Sequence, residues 1–462
     1  RLGGNRIRLN VSAAPAQGHG DIDVMVHGFD LRAIPQVSQR AEGFDPSRLF
    51  MDGSLTGRLS VPLGSGAVPS FSGEFSLAET DVGYRGWPLE LTDLSGHIGL
   101  TRNGISLRDV KSELGRGRVT LTTGRIRLDD GGLESVSLRG TARNLNLENL
   151  THGSLPWSEL ARGEWGRIYS GAADADFNLH WTPDGEPSYQ VHLRLRDGSL
   201  QVARLGRRLD DVNVEATIDS TGLVSIDSAR VPVAGGEVGA SGSFRLADGE
   251  LRDPRLSVNL AEVEPLPDLV GQFNPRLGDV LQQAGLVEPR VTGDVAVSPD
   301  DVSCNLAISA RAVEPREVPY RLTDFSTDLR WSSSGSEVTF RNISARKNGG
   351  HIEGDVSATL SGRPTLDATV FGQGLPVDED LLDLVPGHLR DRLRMWQPRG
   401  SFDLEVRCQN WQMPETFSME ALNELIVKVE LRDISLSHYE VPSLVRDLYG
   451  HISLRGGMVK FT

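Results

Sequence analysis

The sequence is poor in cysteine, lysine and aromatic residues, and it has no long apolar run. Its 462 residues include two cysteines, Cys304 and Cys408, so no disulfide framework holds the fold. Both fall on the apolar phase of alternating segments, with Val302, Leu306 and Ile308 in one and Phe402, Leu404 and Val406 in the other. That placement reads as two small buried hydrophobes rather than a bridge. Lysine occurs only at Lys111, Lys347, Lys428 and Lys460, and the formal net charge is −15. A phosphate backbone needs a basic face, so nucleic acid is disfavoured, as is lying flat on an anionic membrane surface. Aromatics at 6% and hydrophobic residues at 38% are too lean for a thick globular core. Alternation in the sequence nevertheless separates it from a disordered composition. No apolar stretch reaches about 18 residues and no signal peptide is visible. The chain begins at Arg1, and both ends fall in strand-like sequence, so it is expected to be part of a longer protein.

Catalytic signatures are missing as well. The zincin, redox dithiol, phosphate-loop and nucleophile-elbow patterns do not occur in the sequence, so an enzyme is not expected. The ten histidines are scattered, and His97, His180, His192 and His451 sit on the polar phase of strand-like segments. Metal ligation would need clustering, so no metal and no cofactor are expected. The pairs Asp129–Asp130 and Asp300–Asp301 lie beside turns and read as turn residues.

What the chain does contain is a short pattern used four times. Segments opening at Asp93, Asp211, Asp324 and Asp447 place mostly apolar residues at +1, +3, +5 and +7, and successive aspartates lie 113 to 123 residues apart. Period two is the mark of a strand with one dry and one wet face, and near-constant spacing marks a tandem repeat. The expected fold is mainly β: an elongated tandem-repeat antiparallel sheet curled into an open apolar groove, with short helical inserts. The repeats are read as 1–138, 139–254, 255–364 and 365–462, the first and last incomplete, in one continuous array. Each cycle has a strand, a non-alternating insert and about six strands. The inserts fall at residues 32–50, 148–170, 265–287 and 377–396. The third shows helix spacing at Leu277, Val280, Leu281 and Ala284. The fourth is the clearest helix, with Asp378 as N-cap and Pro386–Gly387 dividing it. Gly400 aligns with Gly53, Gly171 and Gly293, and Gly96 with Gly450. Glycine inside a strand marks a bend or bulge. The repeated aspartate is read as structural, capping a turn or bonding a neighbouring strand's backbone.

The apolar phase gives the candidate lining of a groove. It comprises Leu94, Ile98, Leu100, Phe177, Leu179, Trp181, Val191, Leu193, Leu195, Val212, Val214, Ile218, Leu306, Ile308, Phe325, Leu329, Trp331, Leu404, Val406, Val427, Val429, Ile452 and Leu454. Two readings stay open: a dry interface against a second sheet or opposite wall, and an open groove able to solvate acyl chains.

Three further stretches complete the pattern: Gly104–Leu121, its weaker echo Gly222–Val238, and Gly374–Leu381 ahead of the fourth insert. With the four aspartate-led strands they give the chain a resemblance to the AsmA-like family, which includes TamB-type proteins, of bacteria with two membranes. The resemblance covers essentially the whole chain. It implies a periplasmic protein anchored to the inner membrane, a bridge-type carrier moving phospholipid or another acyl-chain lipid towards the outer membrane. An outer-membrane protein partner is part of the same expectation, and no catalytic residue is carried over. The rival reading is a structural or assembly scaffold of the cell envelope, a dry β-array engaging outer-membrane partners through its inserts or edge. The inserts are larger than a plain groove would need.

Overall fold

Strands with alternating faces, joined by short turns, pair antiparallel with their neighbours in sequence. The computed structural model describes residues 6–14, 19–30, 49–64, 71–84, 90–114, 117–129, 132–146, 167–182, 185–202, 207–233, 235–247, 250–264, 282, 284–315, 320–335, 337–359, 365–383, 387–412, 425–438, 444–456 and 458–462. Of these, 84% are strand, in a 25-strand antiparallel sheet that does not close into a barrel. Among the described residues helix contributes two short pieces, so the apolar clusters come from the face of a curled sheet.

The first strands are β1 (Arg6–Ala14), β2 (His19–Asp30), β3 (Leu49–Gly64), β4 (Ser72–Tyr84), β5 (Glu90–Thr101), β6 (Gly104–Leu114), β7 (Gly117–Asp129) and β8 (Gly132–Asn146). Next come β9 (Arg167–Trp181), β10 (Ser188–Val202), β11 (Arg207–Asp219), β12 (Leu223–Val233), β13 (Gly236–Ala247) and β14 (Glu250–Val263). After these follow β15 (Leu286–Val287), β16 (Arg290–Val297), β17 (Val302–Val313), β18 (Leu322–Ser332), β19 (Glu337–Lys347), β20 (Gly350–Thr359) and β21 (Thr365–Pro376). Helices α1 (Glu379–Asp383) and α2 (Gly387–Met395) precede β22 (Arg399–Gln412), β23 (Ile426–Ser437), β24 (Leu444–Arg455) and β25 (Met458–Phe461). Two compact units are formed, one from Arg1–Val231 with Ser241–Pro254 and one from Pro232–Ala240 with Arg255–Thr462.

In the first unit β1 to β12 form a meander, each strand paired with the next. In the second, β14 pairs β16, and pairing then runs strand by strand to β25. The two-residue β15 pairs with β17. Setting β15 aside, the inserts follow the second, eighth, fourteenth and twentieth of the described strands. Six strands thus separate one insert from the next, and within each unit both inserts leave the sheet at the same rim. Gly53, Gly171, Gly293 and Gly400, aligned by sequence, each lie on the first full strand after an insert. All four have positive φ, at 159°, 140°, 145° and 135°. A Cβ on Gly293 would stand 2.2 Å from the Asn305 carbonyl oxygen of the next strand, so only glycine allows that approach. Gly96 shares this backbone, with φ 154°, whereas Gly450 does not.

Three insert boundaries differ from the sequence reading. Strand β3 already begins at Leu49 and β9 at Arg167, and Leu286–Val287 is strand rather than insert. Ladder pairing extends the strands into stretches that lack clean alternation, Leu49–Phe50, Arg167–Ser170 and Leu286–Val287. The bodies of the first three inserts, with nearly all the helix-spaced stretch near Leu277, lie outside the described residues. The fourth insert is helical and divided where Pro386–Gly387 implied. Asp378 caps it, its Oδ1 accepting from the Leu381 N–H at 3.0 Å.

The repeated aspartates do not open their strands, which begin two to four residues earlier. Asp93, Asp211, Asp324 and Asp447 instead sit inside β5, β11, β18 and β24 with φ of 51°, 58°, 51° and 57°. The same left-handed backbone recurs at Glu79, Asp109, Asn144, Asp197, Glu262, Asn342, Asn410 and Asp433. Many of these positions coincide with register shifts, as between Leu195 and Gly198 or Phe340 and Ile343. Each is a bulge, where an extra residue bends the strand and raises its twist. Asp and Asn tolerate this backbone better than other non-glycine residues. A bulge pulls one N–H out of the ladder, and the adjacent strand often supplies an acceptor. The N–H of Asp93 donates to Asp81 at 3.0 Å, that of Asn144 to Asp174 at 2.8 Å, and that of Asn342 to Asp355 at 3.0 Å. The bonded group is therefore the bulge residue's own N–H. A carboxylate next door accepts it, the reverse of the bond expected from the sequence.

The bulge account predicts opposite effects at Asp211. Asp211→Gly keeps the left-handed backbone and leaves thermal unfolding unchanged or slightly higher. Asp211→Val places a β-branched residue there and costs about 1–2 kcal/mol, read by chemical denaturation.

Candidate functional site

Strand register places the apolar residues in straight rows. In the first unit Phe75, Ile98, Leu107, Gly124, Leu138, Leu179 and Tyr189 stand opposite one another from β4 to β10. Beside them run Leu121, Gly140, Phe177, Val191, Ile218 and Val224. In the second unit Val258, Val295, Cys304, Trp331, Val338, Ala358, Leu366 and Trp411 form one row. Another comprises Ala345, Ile352, Gly372, Leu404, Val429, Ile452 and Phe461.

Every lining residue named from the sequence occupies the apolar face of its unit. Twelve, from Leu94 to Ile218, lie in the first unit and eleven, from Leu306 to Leu454, in the second. Leu195, Val212, Ile308 and Leu329 are buried, the last only 3% exposed. The others are half-buried and none is fully exposed. Buried residues gather in local clusters. One joins Ala142, Leu145, Ala173, Ala175, Leu195 and Val212, and another joins Val291, Cys304, Ile308, Leu329 and Val338. Ala173 and Ala175 share the alternation of Phe177, Leu179 and Trp181, whereas Ala142, Leu145, Val291 and Val338 escaped the sequence reading. Ala142 is small and leaves little hydropathy signal, and Leu145 lies just past a bulge where alternation skips. Both cysteines are free and buried, Cys304 in the second cluster and Cys408 beside Ala368 and Trp411, and burial pushes both thiols up from their ordinary range.

The opposite face is polar and cross-linked. Arg194 donates to Glu215 at 2.8 Å, His192 lies 3.0 Å from the same carboxylate, Arg143 donates to Asp176 at 2.8 Å and Lys428 to Glu405 at 3.0 Å. Arg194 and then His192 hold the Glu215 carboxyl below its usual range. Exposed pairs of this kind contribute little each, but they keep the wet face wet. Asp301 accepts three hydrogen bonds at one oxygen. It takes the Ser334 N–H at 3.0 Å and the hydroxyls of Ser333 and Ser332 at 2.8 and 2.9 Å, tying the turn after β18. Those donors lower its pKa to about 2, and the turn reading of Asp300–Asp301 holds. Asp130 lies outside the described residues.

Among the described residues, no cluster of histidine, cysteine and carboxylate side chains could hold a metal ion, and no helix is long and apolar enough to cross a membrane. The arrangement defines a class: a curled antiparallel sheet with one continuous apolar face in each unit and a charged reverse face. No family model matches the chain. No curated protein sequence matches it either.

The Asp301 geometry gives a pH dependence. Its folded pKa lies below the ordinary value of about 3.9, so its contribution is full above about pH 4. That contribution is lost as pH falls towards about 2. Thermal melts should show an acid limb in this window, and Asp301→Asn should flatten that limb while lowering the melting temperature at neutral pH.

Proposed function

We propose that the chain is a segment of a bridge-type lipid carrier, each unit holding acyl chains on its apolar face while head groups stay towards solvent. One observation carries the reading. Nearly all the lining side chains are half-buried, although a sealed interface between two sheets would bury them. Transfer of acyl chains onto such a face is favourable by up to about 0.8 kcal/mol per buried CH₂. Rows of similar residues, strand after strand, would keep the barriers to sliding small. The charged reverse face would discourage a lipid from wrapping around the sheet edge. Phospholipid as cargo, the periplasm as location, inner-membrane anchoring and delivery to the outer membrane come from the AsmA-like resemblance and complete the proposal.

The test uses positions that are half-buried and so tolerate change. Leu329 is unsuitable, because an aspartate there would open a core cluster. Leu179→Asp in the first unit and Val429→Asp in the second should each lower uptake of fluorescent phospholipid from vesicles by about tenfold or more, 1.4 kcal/mol per decade. Circular dichroism should stay that of the parent. Undiminished uptake in both folded variants, or none by the parent protein, would remove the lipid reading.

A further inference from the structure

One residue breaks the rule of the apolar face. Lys347 ends β19 two places after Ala345, in unbroken register with β20, so its side chain points to the apolar side. It is only 4% exposed, the one charged member of the buried set among the described residues. Its ammonium meets the fourth insert. Nζ bonds the Asp380 carboxylate, lies 3.5 Å from Asp378 and stands 4.6 Å above the Tyr320 ring. Asn348, in the turn beside it, donates to Asp378 at 3.1 Å. Helix α1 is thus fastened from the apolar side of the rim.

The insert behaves geometrically as one strap. Arg394 of α2 reaches back to Asp383 at 2.9 Å and Glu379 at 3.0 Å, and Arg390 reaches Asp383 at 3.3 Å. The far end is held at β23, where the Ser437 N–H donates to the Trp396 carbonyl at 2.9 Å and the Trp396 ring meets His438 edge-on at 4.8 Å. At this rim Leu375 and Phe402 face each other and are buried, as is Leu382 of α1. One row further in, Leu404 and Val429 are half-buried.

We infer that α1 and α2 form a strap over this rim of the second unit's apolar face, with Lys347 as its clasp, and that release of the clasp opens an entry for ligand. The entry role rests on the lipid reading above; the clasp does not. A buried charge is costly unless paired, so the clasp is a two-position element: with Asp380 and Asp378 in place the lysine is satisfied, and with the strap lifted it must reach water. Asp380 and Asp378 are themselves partly exposed, so removing the lysine leaves no carboxylate sealed in the interior.

Hydrogen–deuterium exchange on the whole chain tests the clasp. In Lys347→Met, exchange across 379–395 should rise about a hundredfold, with β21 and β22 unchanged. Lys428→Met, which removes an ion pair from the polar face, should alter neither. Strap exchange at the parent rate, or equal acceleration of β21 and β22, would overturn the clasp. Uptake of fluorescent phospholipid from vesicles tests the entry role: Lys347→Met should load faster than the parent. Equal rates with a demonstrably opened strap would overturn the entry role. Uptake by neither protein would sink the lipid reading and the entry with it, while exchange still decides the clasp.

Discussion

The structure depends on keeping one face of every strand apolar while the strand bends. A bulge adds a residue, and an added residue would throw every later side chain to the wrong face. The sequence avoids this by skipping. Where a strand bulges, the apolar phase jumps three positions instead of two, from Leu107 to Val110, Ala142 to Leu145, Leu322 to Phe325, Phe340 to Ile343, Cys408 to Trp411 and Leu431 to Ile434. The residue before the second of each pair is Asp or Asn, with the left-handed backbone that the extra residue requires. Curvature and facing are thus solved together. A neighbouring carboxylate often accepts the N–H that the bulge frees.

This device explains how much of the fold was legible. The recurring aspartate was visible because its chemistry is restricted, and the period-two pattern after it was clean. A three-residue skip breaks alternation at the aspartate, so the period-two pattern appears to open there although the strand begins earlier. The aligned glycines were legible for a similar reason: a backbone close to its neighbour admits no Cβ, and that requirement returns once per cycle. Twenty-three residues of the apolar face could be named from phase alone. The depth of each side chain could not, because burial of Leu195 or Leu329 comes from residues on adjacent strands, Ala173 and Val214 for the first and Leu306 and Phe340 for the second, which no single strand reveals.

Lys347 shows where pattern reading stops. A lysine in apolar phase at a strand end looks like the strand running out into solvent. Its partners, Asp378 and Asp380, lie some thirty residues on, beyond two more strands, and only the meander brings them back to the same rim. The insert reads differently as a result: it is pinned to the sheet at two places and tied to itself between them. If the apolar face carries lipid, the strap is where loading of the second unit would be controlled.

The central claim is that this face is open to acyl chains rather than sealed. Native mass spectrometry of the purified chain, with extraction and identification of any bound lipid, addresses it most directly. The account predicts a folded protein carrying several diacyl lipids per chain. A folded protein that carries no lipid, even after incubation with phospholipid vesicles, would contradict it.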